Sequence, residues 1–298
     1  MKLCKPLFEI WEQSAGLEGV YKMIEYAGRV CYKSEDKITE DSAKPFVDRM
    51  IKSGHGAMLE HGTVYLQYET AKSAINPLTK YYLNKYSKVK AKEGAIEETM
   101  RLFVTTNLRV LVENNWLKDL EYICEPTEFH EKRITVHFVC DRGVSHEFVR
   151  HRVMSFAQES TRYCNYSKDK FGNELTFIKP CWLDIPTGQY VYWDGDWCDV
   201  DKMKIQLPEG EHKDIDAFLW TLNNAETHYT LLINSGWKPQ EARAVLPNSL
   251  KTELVMTGFV SDWKHFFELR CDSAAHPQAR ELAIPLKEEF IKKGYITE

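Results

Sequence analysis

The sequence predicts a mixed α and β domain, because segments with two different hydrophobic periodicities occur in one chain of ordinary globular size. The chain has 298 residues, of which 43% are hydrophobic and 28% charged, so it can bury a core as one large domain or two small ones. Segments with strand-like alternation lie among longer segments with helical spacing of apolar residues. No stretch rich in Pro, Gly or Ser divides the chain, and we therefore expect a single domain over residues 1–298.

Two segments show the alternation of a half-buried strand. In residues 63–68, Val64, Leu66 and Tyr68 alternate with more polar neighbours, as expected where one face of a sheet is buried. Residues 133–140 alternate in the same way. We expect both strands to belong to one sheet.

Helical patterns surround these strands, and several begin at a Ser, Thr or Asp that can cap exposed N–H groups. The predicted helices cover residues 41–53, 73–86, 106–115, 145–156, 215–235 and 261–271. Two further stretches are predicted to be surface insertions. Residues 88–98 are charged without long apolar periodicity, and residues 186–213 are crowded with Gly, Asp and Trp.

Charge and cysteine content disfavour several classes of protein. Lys and Arg number 39 against 44 Asp and Glu, a net charge of -5, so no global basic field is present to hold nucleic acid. The eight cysteines are scattered singly without a C-x-x-C pair, which argues against a zinc site and a disulfide framework. Neither a signal peptide nor an apolar run of membrane-spanning length is evident. We expect a cytoplasmic protein with no metal, nucleic-acid or membrane partner.

The densest concentration of functional groups lies at residues 145–163. Arg150, His151 and Arg152 stand side by side, and cations this close repel each other unless an anion lies among them. Ser160 and Arg162 follow. A hydroxyl and a planar guanidinium, together with neighbouring backbone N–H groups, form a donor set suited to a phosphate. For the three basic residues alone, a charged surface patch is the more common interpretation.

Arg270 is unusual on physical grounds alone. It follows Trp263, Phe266 and Phe267 at helical spacing, so a permanent charge shares the apolar stripe of its helix. Burial of that charge without a partner is costly. A structural ion pair with a carboxylate would explain the position, and so would a bound anionic group.

Other conspicuous side chains are predicted to be structural. His61, His137 and His228 have no second ligand at metal spacing, and Tyr81, Tyr82 and Tyr86 recur at helical intervals suited to packing. Cys164 has no recognisable His partner, so we do not expect it to act as a nucleophile.

Four segments of the sequence resemble motifs of the flavin-dependent thymidylate synthase family, and they occur along the chain in the same order as in that family. Residues 150–152, Arg-His-Arg, are followed after seven residues by Ser-Thr-Arg-Tyr at 160–163, like the family's R-H-R-x7-S and S-x-R-Y. Residues 54–61 are similar to its G-H-x-S/T-x-x-E-H segment before a strand. Residues 243–247 resemble its R-x-x-L-P, and residues 263–270 resemble its later helix ending in L-R.

This resemblance implies a fold and a reaction. The family fold is mixed α+β with a central, mostly antiparallel sheet packed with helices, assembled as a homotetramer with FAD and dUMP where subunits meet. The implied reaction is the methylation of dUMP to dTMP. Methylenetetrahydrofolate supplies the one-carbon unit, NADPH reduces FAD, and tetrahydrofolate is released.

The resemblance also assigns roles by position. Around dUMP it places Glu147, Arg150, Gln158, Glu159, Ser160, Thr161, Arg162, Arg243 and Arg270. Around FAD it places His55, Ala57, Glu60, Arg150, His151, Arg152, Gln158, Phe259, Ser261 and His265. It implies catalytic roles for Ser160, which would meet the phosphate with Arg162, and for Arg270, which would favour negative charge on the uracil ring as N3 loses its proton.

The chain departs from the family pattern at several of these positions. Phe259 and Ser261 occupy the ends of the family's N-x-R, Ala57 lacks a hydroxyl, Gln158 replaces a Glu, and Glu147 stands where Gln is common. Two alternatives to the enzyme follow. One is a module that binds nucleotide or nucleic-acid phosphates without catalysis, which the net charge of -5 disfavours. The other is a member that kept the fold and lost efficient flavin binding.

Overall fold

The computed structural model describes residues 1–71, 79–94, 99–168, 172, 174–199, 203–207 and 213–297. Its strands are β1 (Lys2–Cys4), β2 (Leu7–Trp11), β3 (Thr63–Ala71), β4 (Lys88–Glu93), β5 (Thr99–Asn107), β6 (Arg133–Asp141), β7 (Ser155–Gln158), β8 (Thr176–Ile178), β9 (Gly188–Gln189), β10 (Val191–Trp193), β11 (Asp196–Cys198) and β12 (Lys251–Phe259). Its α-helices are α1 (Gly16–Tyr32), α2 (Ala43–Lys52), α3 (Gly56–Leu59), α4 (Thr79–Tyr82), α5 (Leu108–Glu113), α6 (Arg142–Phe148), α7 (Lys213–Asn234), α8 (Pro239–Ala242), α9 (Val260–Arg270) and α10 (Pro277–Lys292).

Antiparallel pairing dominates the sheets, and the predicted mixed α and β class is confirmed. The largest described sheet has the order β2-β6-β12-β7, and a second antiparallel sheet has the order β3-β5-β4. Strand β1 lies between β8 and β9, and β10 pairs with β11. The prediction that residues 63–68 and 133–140 share a sheet is wrong, because β3 pairs with β5 along its whole length whereas β6 lies between β2 and β12. Alternation identifies a strand but not its neighbour.

Strand β6 separates an apolar layer from a polar one. Ile134, Val136, Phe138 and Cys140 point into a core shared with α9 and α10. On the other face, Thr135 and its two strand neighbours at 133 and 137 form hydrogen bonds to side chains, and the same sheet packs against α1 through Val255 of β12 and Ala157 of β7. The side chains of one strand alternate between the two faces of a sheet, so β6 carries polar groups into the interior beneath α1.

The helix predicted over residues 145–156 is the largest error in secondary structure. The side chain of Asp141 accepts a hydrogen bond from the N–H of Val144 at 2.8 Å, so the helix begins at Arg142. It ends at Phe148, and Ser155–Gln158 is strand β7, paired with β12. The apolar spacing continued across the break, but pairing with β12 determined the conformation of the second half. The three basic residues 150–152 therefore lie in a turn.

The other predicted helices differ mainly at their ends. Helices α2, α7 and α9 confirm the predictions for residues 41–53, 215–235 and 261–271 within two residues at each end. The helix predicted at 106–115 is shorter, because Asn107 ends β5 and its side chain caps α5 by accepting from the N–H of Val110 at 3.1 Å. Of the helix predicted at 73–86, α4 is helical, and residues 73–78 lie outside the described residues.

Both predicted insertions contain strands. Within residues 88–98, β4 forms the edge of the second sheet with mostly exposed side chains, and residues 95–98 lie outside the described residues. Within residues 186–213, β9, β10 and β11 form, while residues 200–202 and 208–212 lie outside the description. None of the helices in the described ranges combines the length and apolar character needed to cross a membrane.

Candidate active site

Arg270 joins the end of α9 to the end of α6. Its Nη1 donates to Glu147 Oε2 and its Nη2 to the Glu147 carbonyl oxygen, both at 2.8 Å, and its Nε donates to His151 Nε2 at 3.0 Å. Trp263, Phe266 and Phe267 are buried, so Arg270 does share an apolar helix stripe as predicted. The ion pair with Glu147 is the structural interpretation of that position. Guanidinium has five N–H donors, so two remain without an acceptor among the described residues.

His151 is buried and neutral in this arrangement. Burial and the positive charges of Arg270 and His265 lower the pKa of His151 to about 4. Its Nε2 accepts from Arg270, which requires an unprotonated nitrogen at that position. The ring of His151 lies 6.0 Å from that of His265, centroid to centroid, and His265 itself is exposed and interacts with Glu268. Three predicted site residues from α9 and the basic turn are thus neighbours.

The remaining basic residues of the turn face solvent. Arg150 and Arg152 are exposed, and neither forms an ion pair with a carboxylate among the described residues. Val153, which follows them, has a φ of 83°, a conformation that is uncommon for a β-branched residue. Two guanidinium groups are therefore available for an external anion on either side of a buried imidazole.

The predicted phosphate-binding loop, residues 160–162, is fixed to α1 and to a distant segment of the chain. The N–H of Ser160 donates to the carbonyl oxygen of Cys31 at 3.0 Å, and Arg243 Nη1 donates to Thr161 Oγ1 at 3.1 Å. Ser160 Oγ accepts from the N–H of Arg162 at 3.3 Å, while the Arg162 side chain is exposed. The backbone N–H groups of Ser160 and Arg162 therefore already have acceptors within the protein. The Thr161 N–H has none among the described residues.

Gln158 and Glu159 point away from this loop into hydrogen-bond networks. Gln158 Nε2 donates to Ser145 Oγ at 2.9 Å and to Thr252 Oγ1 at 3.2 Å. Glu159 is buried and accepts from Tyr166 and from Lys251. Both side chains hold the loop in place, and the Glu159 carboxylate is committed to these contacts, whereas the Gln158 Oε1 has no partner among the described residues.

A buried ion network lies under the loop. Glu253 Oε1 accepts from Lys33 at 2.7 Å and from Lys251 at 2.5 Å, and its Oε2 is 3.0 Å from His137 Nε2. Burial acts to raise the pKa of Glu253, but the hydrogen bond to His137 and the charges of both lysines lower it well below its usual range. Lys251 also reaches Glu159. The network therefore connects β12, α1 and the loop through charged groups.

The early segment, residues 54–61, meets a different part of the fold. Its Glu60 forms an ion pair with Arg109 at 2.5 Å, and the Glu60 carbonyl oxygen accepts from Arg133 at 2.9 Å. His55 and Ala57 are exposed. Among the described residues, no contact joins these groups to Arg270 or His151 within one chain.

The start of α9 lies beside the early segment. The Phe259 ring is buried, with the Arg133 guanidinium and the Lys88 ammonium each 5.6 Å from its centroid. Ser261 Oγ donates to Glu131 Oε1 at 2.5 Å. Phe259 and Ser261 therefore make contacts within the protein at the positions where the family pattern has ligand donors.

Sequence reasoning missed Arg133, which links these two groups. It is buried, and it donates to the Thr63 and Ser155 hydroxyls as well as to the Glu60 carbonyl oxygen. Burial lowers its pKa to about 10. The sequence contains a signal for a polar face: Arg133 alternates with Thr135 and His137 along the predicted strand, so these three side chains share one face.

The side chains predicted to be structural have mixed outcomes. His61 is buried with its Nδ1 2.8 Å from Thr257 Oγ1, and burial lowers its pKa to about 3. His137 contacts Glu253, as described above, while His228 is exposed. Tyr81 packs in the core as predicted, but Tyr82 and Tyr86 are exposed, so the prediction is wrong for those two. Cys164 is completely buried in the second core.

Comparisons with known proteins agree on one family. A family model described as "Thymidylate synthase complementing protein" matches residues 97–293. A flavin-dependent thymidylate synthase of Pyrococcus furiosus is 30% identical over 160 residues, and the chain spans only about half, 53%, of its length. A flavin-dependent thymidylate synthase of Corynebacterium aurimucosum is 23% identical over 277 residues, covering 92% of this chain and 77% of that protein.

A solved structure also aligns with most of the chain. It is the crystal structure of a UMP/dUMP methylase PolB from Streptomyces cacaoi bound with 5-Br UMP. The alignment covers 98% of this chain and 92% of that one, with 16% sequence identity and a TM-score of 0.43.

Proposed function

The chain belongs to the thymidylate synthase complementing protein family, and on that premise we propose that it is a flavin-dependent thymidylate synthase. The proposed reaction is the reductive methylation of dUMP to dTMP, with methylenetetrahydrofolate as the one-carbon donor and NADPH as the reductant. Tetrahydrofolate is the folate product. The named relatives are flavin-dependent thymidylate synthases, which supports this proposal over a phosphate-binding module without catalysis.

One observation carries the proposal: motifs more than 80 residues apart meet through their polar side chains. Arg270 contacts both Glu147 and His151, and Arg243 contacts Thr161. A charged surface patch would not require such contacts between distant segments. The motifs therefore form two polar groups, one at the end of α9 and one at the loop of residues 160–162.

The loop of residues 160–162 is suited to the phosphate of dUMP. The Ser160 hydroxyl, the Thr161 N–H and the guanidinium groups of Arg162 and Arg243 offer donors of the kinds that bind a phosphate dianion. The Ser160 N–H bond to Cys31 and the ion pair of Lys251 with Glu159 hold the loop in one conformation. A loop held in its binding conformation loses less entropy when the ligand binds.

Arg270 is proposed to act on the uracil ring. Its contacts to Glu147 and His151 fix the plane of the guanidinium, and two N–H donors remain for the ring. A fixed positive charge stabilises negative charge that develops as N3 loses its proton. Neutral His151 accepts a hydrogen bond from Arg270 and adds no competing positive charge.

The donors available for FAD are unevenly distributed. Arg150 and Arg152 are exposed, have no carboxylate partner in the described part of the chain, and suit the phosphates of a dinucleotide. In contrast, Phe259 and Ser261 are committed to contacts within the protein. Bound FAD, once reduced, would supply the hydride that completes the methyl group, while the protein residues orient the rings and supply charge. The arginines therefore fit the cofactor, and the start of α9 contributes no donor.

Assembly from several subunits is part of the proposal. His55, Ala57 and Glu60 lie apart from His151 and His265 in one chain, and a homotetramer with FAD between subunits would bring the two groups together. A cytoplasmic location remains a prediction.

The most direct test of the cofactor is an absorption spectrum. We expect the protein reconstituted with FAD to retain a flavin spectrum after gel filtration, and NADPH to bleach it under anaerobic conditions. Arg150→Ala with Arg152→Ala should weaken FAD retention, whereas the exposed pair Lys52→Ala with Lys118→Ala serves as a matched control. A colourless protein that cannot retain added FAD would contradict the proposal.

A further inference from the structure

A cavity between α1, α2 and the short 3-10 helix Glu35–Lys37 has a strongly basic lining. Its volume is about 520 Å³, and among the described residues five cations line it against one carboxylate, that of Asp36. The cations are Arg29, Lys33, Lys37, Arg49 and Lys168. In a chain with a net charge of -5, this concentration of positive charge requires an explanation.

Two of these cations already have carboxylate partners inside the protein. Arg29 pairs with Glu25 at 2.7 Å, and Lys33 pairs with Glu35 and Glu253. Lys37, Arg49 and Lys168 are exposed, and none of the three has a carboxylate within ion-pair distance among the described residues. Three charges in one cavity are therefore left to the solvent or to a ligand.

The Phe46 ring contacts two guanidinium groups that line the cavity. The Arg29 Cζ lies 4.9 Å and the Arg49 Cζ 5.5 Å from the Phe46 ring centroid. Cation–π contacts of this kind stabilise each charge against the ring but do not neutralise it. Because Glu25 already pairs with Arg29, Arg49 is the guanidinium at this ring that is available to a bound anion.

The cavity is adjacent to the nucleotide loop but shares no residue with it. Tyr32 lines the cavity, and its ring lies 5.5 Å from that of Tyr163, which follows the loop of residues 160–162. The loop donors Ser160, Thr161 and Arg243 are not among the lining residues. A ligand in this cavity would therefore occupy a second anion site next to the nucleotide.

We propose that this basic cavity binds a small molecule that carries two or more adjacent negative charges, as phosphates or as carboxylates. The concave shape and the few cations suit a compact ligand, and the net charge of -5 disfavours a long polyanion such as nucleic acid. The site does not depend on the proposed reaction, because its evidence is the lining and the charges alone.

Isothermal titration with two probes tests the proposal and distinguishes the two sources of charge. Tripolyphosphate represents clustered phosphates, and a triglutamate peptide represents clustered carboxylates. We expect at least one probe to bind about tenfold or more tightly than inorganic phosphate, and its affinity to fall as salt is raised. Binding of tripolyphosphate alone would assign the site to phosphates, and binding of triglutamate alone to carboxylates.

Two variants, each with three substitutions, test whether the probe binds in the cavity. Lys37→Ala, Arg49→Ala and Lys168→Ala combined should weaken the probe about tenfold or more. The matched combination of Lys52→Ala, Lys85→Ala and Lys118→Ala should leave it unchanged within about twofold, since those exposed lysines lie outside the cavity. Circular dichroism confirms that both variants are folded.

A third variant separates the cavity from the nucleotide loop. Arg162→Ala with Arg243→Ala should retain the probe, because these arginines do not line the cavity. The proposal is overturned if neither probe binds, if the matched variant weakens binding as much as the cavity variant, or if the loop variant abolishes it.

Discussion

Arg270, at the residue scale, has both a structural and a functional interpretation, and the two differ in what a conservative change does. Arg270→Lys keeps the charge but cannot maintain the contacts to Glu147 and His151 in one plane. We expect turnover to fall about 10- to 100-fold, with dUMP affinity changed less than about threefold. Steady-state kinetics and equilibrium binding of dUMP measure the two effects, with the exposed Arg101→Lys as control. An effect confined to binding would make Arg270 a positioning residue.

The buried Glu253 gives a second prediction, on stability and pH. Glu253→Gln leaves Lys33 and Lys251 facing an uncharged group, so we expect the free energy of unfolding to fall by about 3 kcal/mol at pH 7. The folded-state pKa of Glu253 is lowered, so its contribution is fully present above the unfolded value of about 4.3 and is lost as the pH falls below it.

Urea unfolding at pH 7 and at pH 4 measures this difference. The difference in free energy of unfolding between the native protein and Glu253→Gln should be smaller at pH 4 than at pH 7. The exposed Glu268→Gln should change stability by less than about 0.5 kcal/mol. A difference in free energy of unfolding that does not change with pH would show that Glu253 stabilises the fold through packing and not through its charge.

The sequence was sufficient to identify some functional residues but not to predict which side chains contact them. Arg270 could be identified because its helical spacing placed a charge among aromatic residues. Arg133 and Glu253 were missed because the partners of a buried charge depend on strand register and helix packing, which periodicity does not encode. The contacts that Phe259 and Ser261 make within the protein could not be predicted either. The partner of Ser261, for example, is Glu131, which lies 130 residues away in the sequence.

The turn between α6 and β7 is the informative feature at the element scale. The apolar spacing predicted one helix over residues 145–156. Instead, the helix begins earlier because Asp141 caps it, and the second half of the segment pairs with β12 as strand β7. Strands β3 and β6 and helices α2, α7 and α9 were predictable because each depends on a local pattern. A helix that stops within a continuous pattern depends on tertiary pairing, so its end could not be read from the sequence.

Val153 provides a test of that turn. At a φ of 83° it is strained, and its side chain is 44% exposed, so little apolar burial is lost on its removal. Val153→Gly should raise the free energy of unfolding by about 1 kcal/mol, the relief of strain less the extra entropy of glycine in the unfolded chain. Val245→Gly, with similar exposure and no positive φ, should lower it by about 1 kcal/mol. Destabilisation by Val153→Gly as large as that by Val245→Gly would argue against a strained turn.

The molecule as a whole is proposed to work as a tetramer. The early segment near Arg133 and the group around His151 are separate within one chain, and an interface between subunits would bring them together. We expect light scattering after gel filtration to give four times the protomer mass of 34.8 kDa. A fully active monomer would contradict the shared site.

The folate product tests the central claim most directly, because the two chemical routes to dTMP differ in the source of the final hydride. The protein is supplied with dUMP, methylenetetrahydrofolate, FAD and NADPH, and the folates are separated chromatographically. We expect tetrahydrofolate, with NADPH consumed in step with dTMP, and the same product from Cys164→Ser, whose thiol is buried in the native protein. Dihydrofolate as the direct product would show that the folate itself surrenders the hydride and would contradict the flavin mechanism.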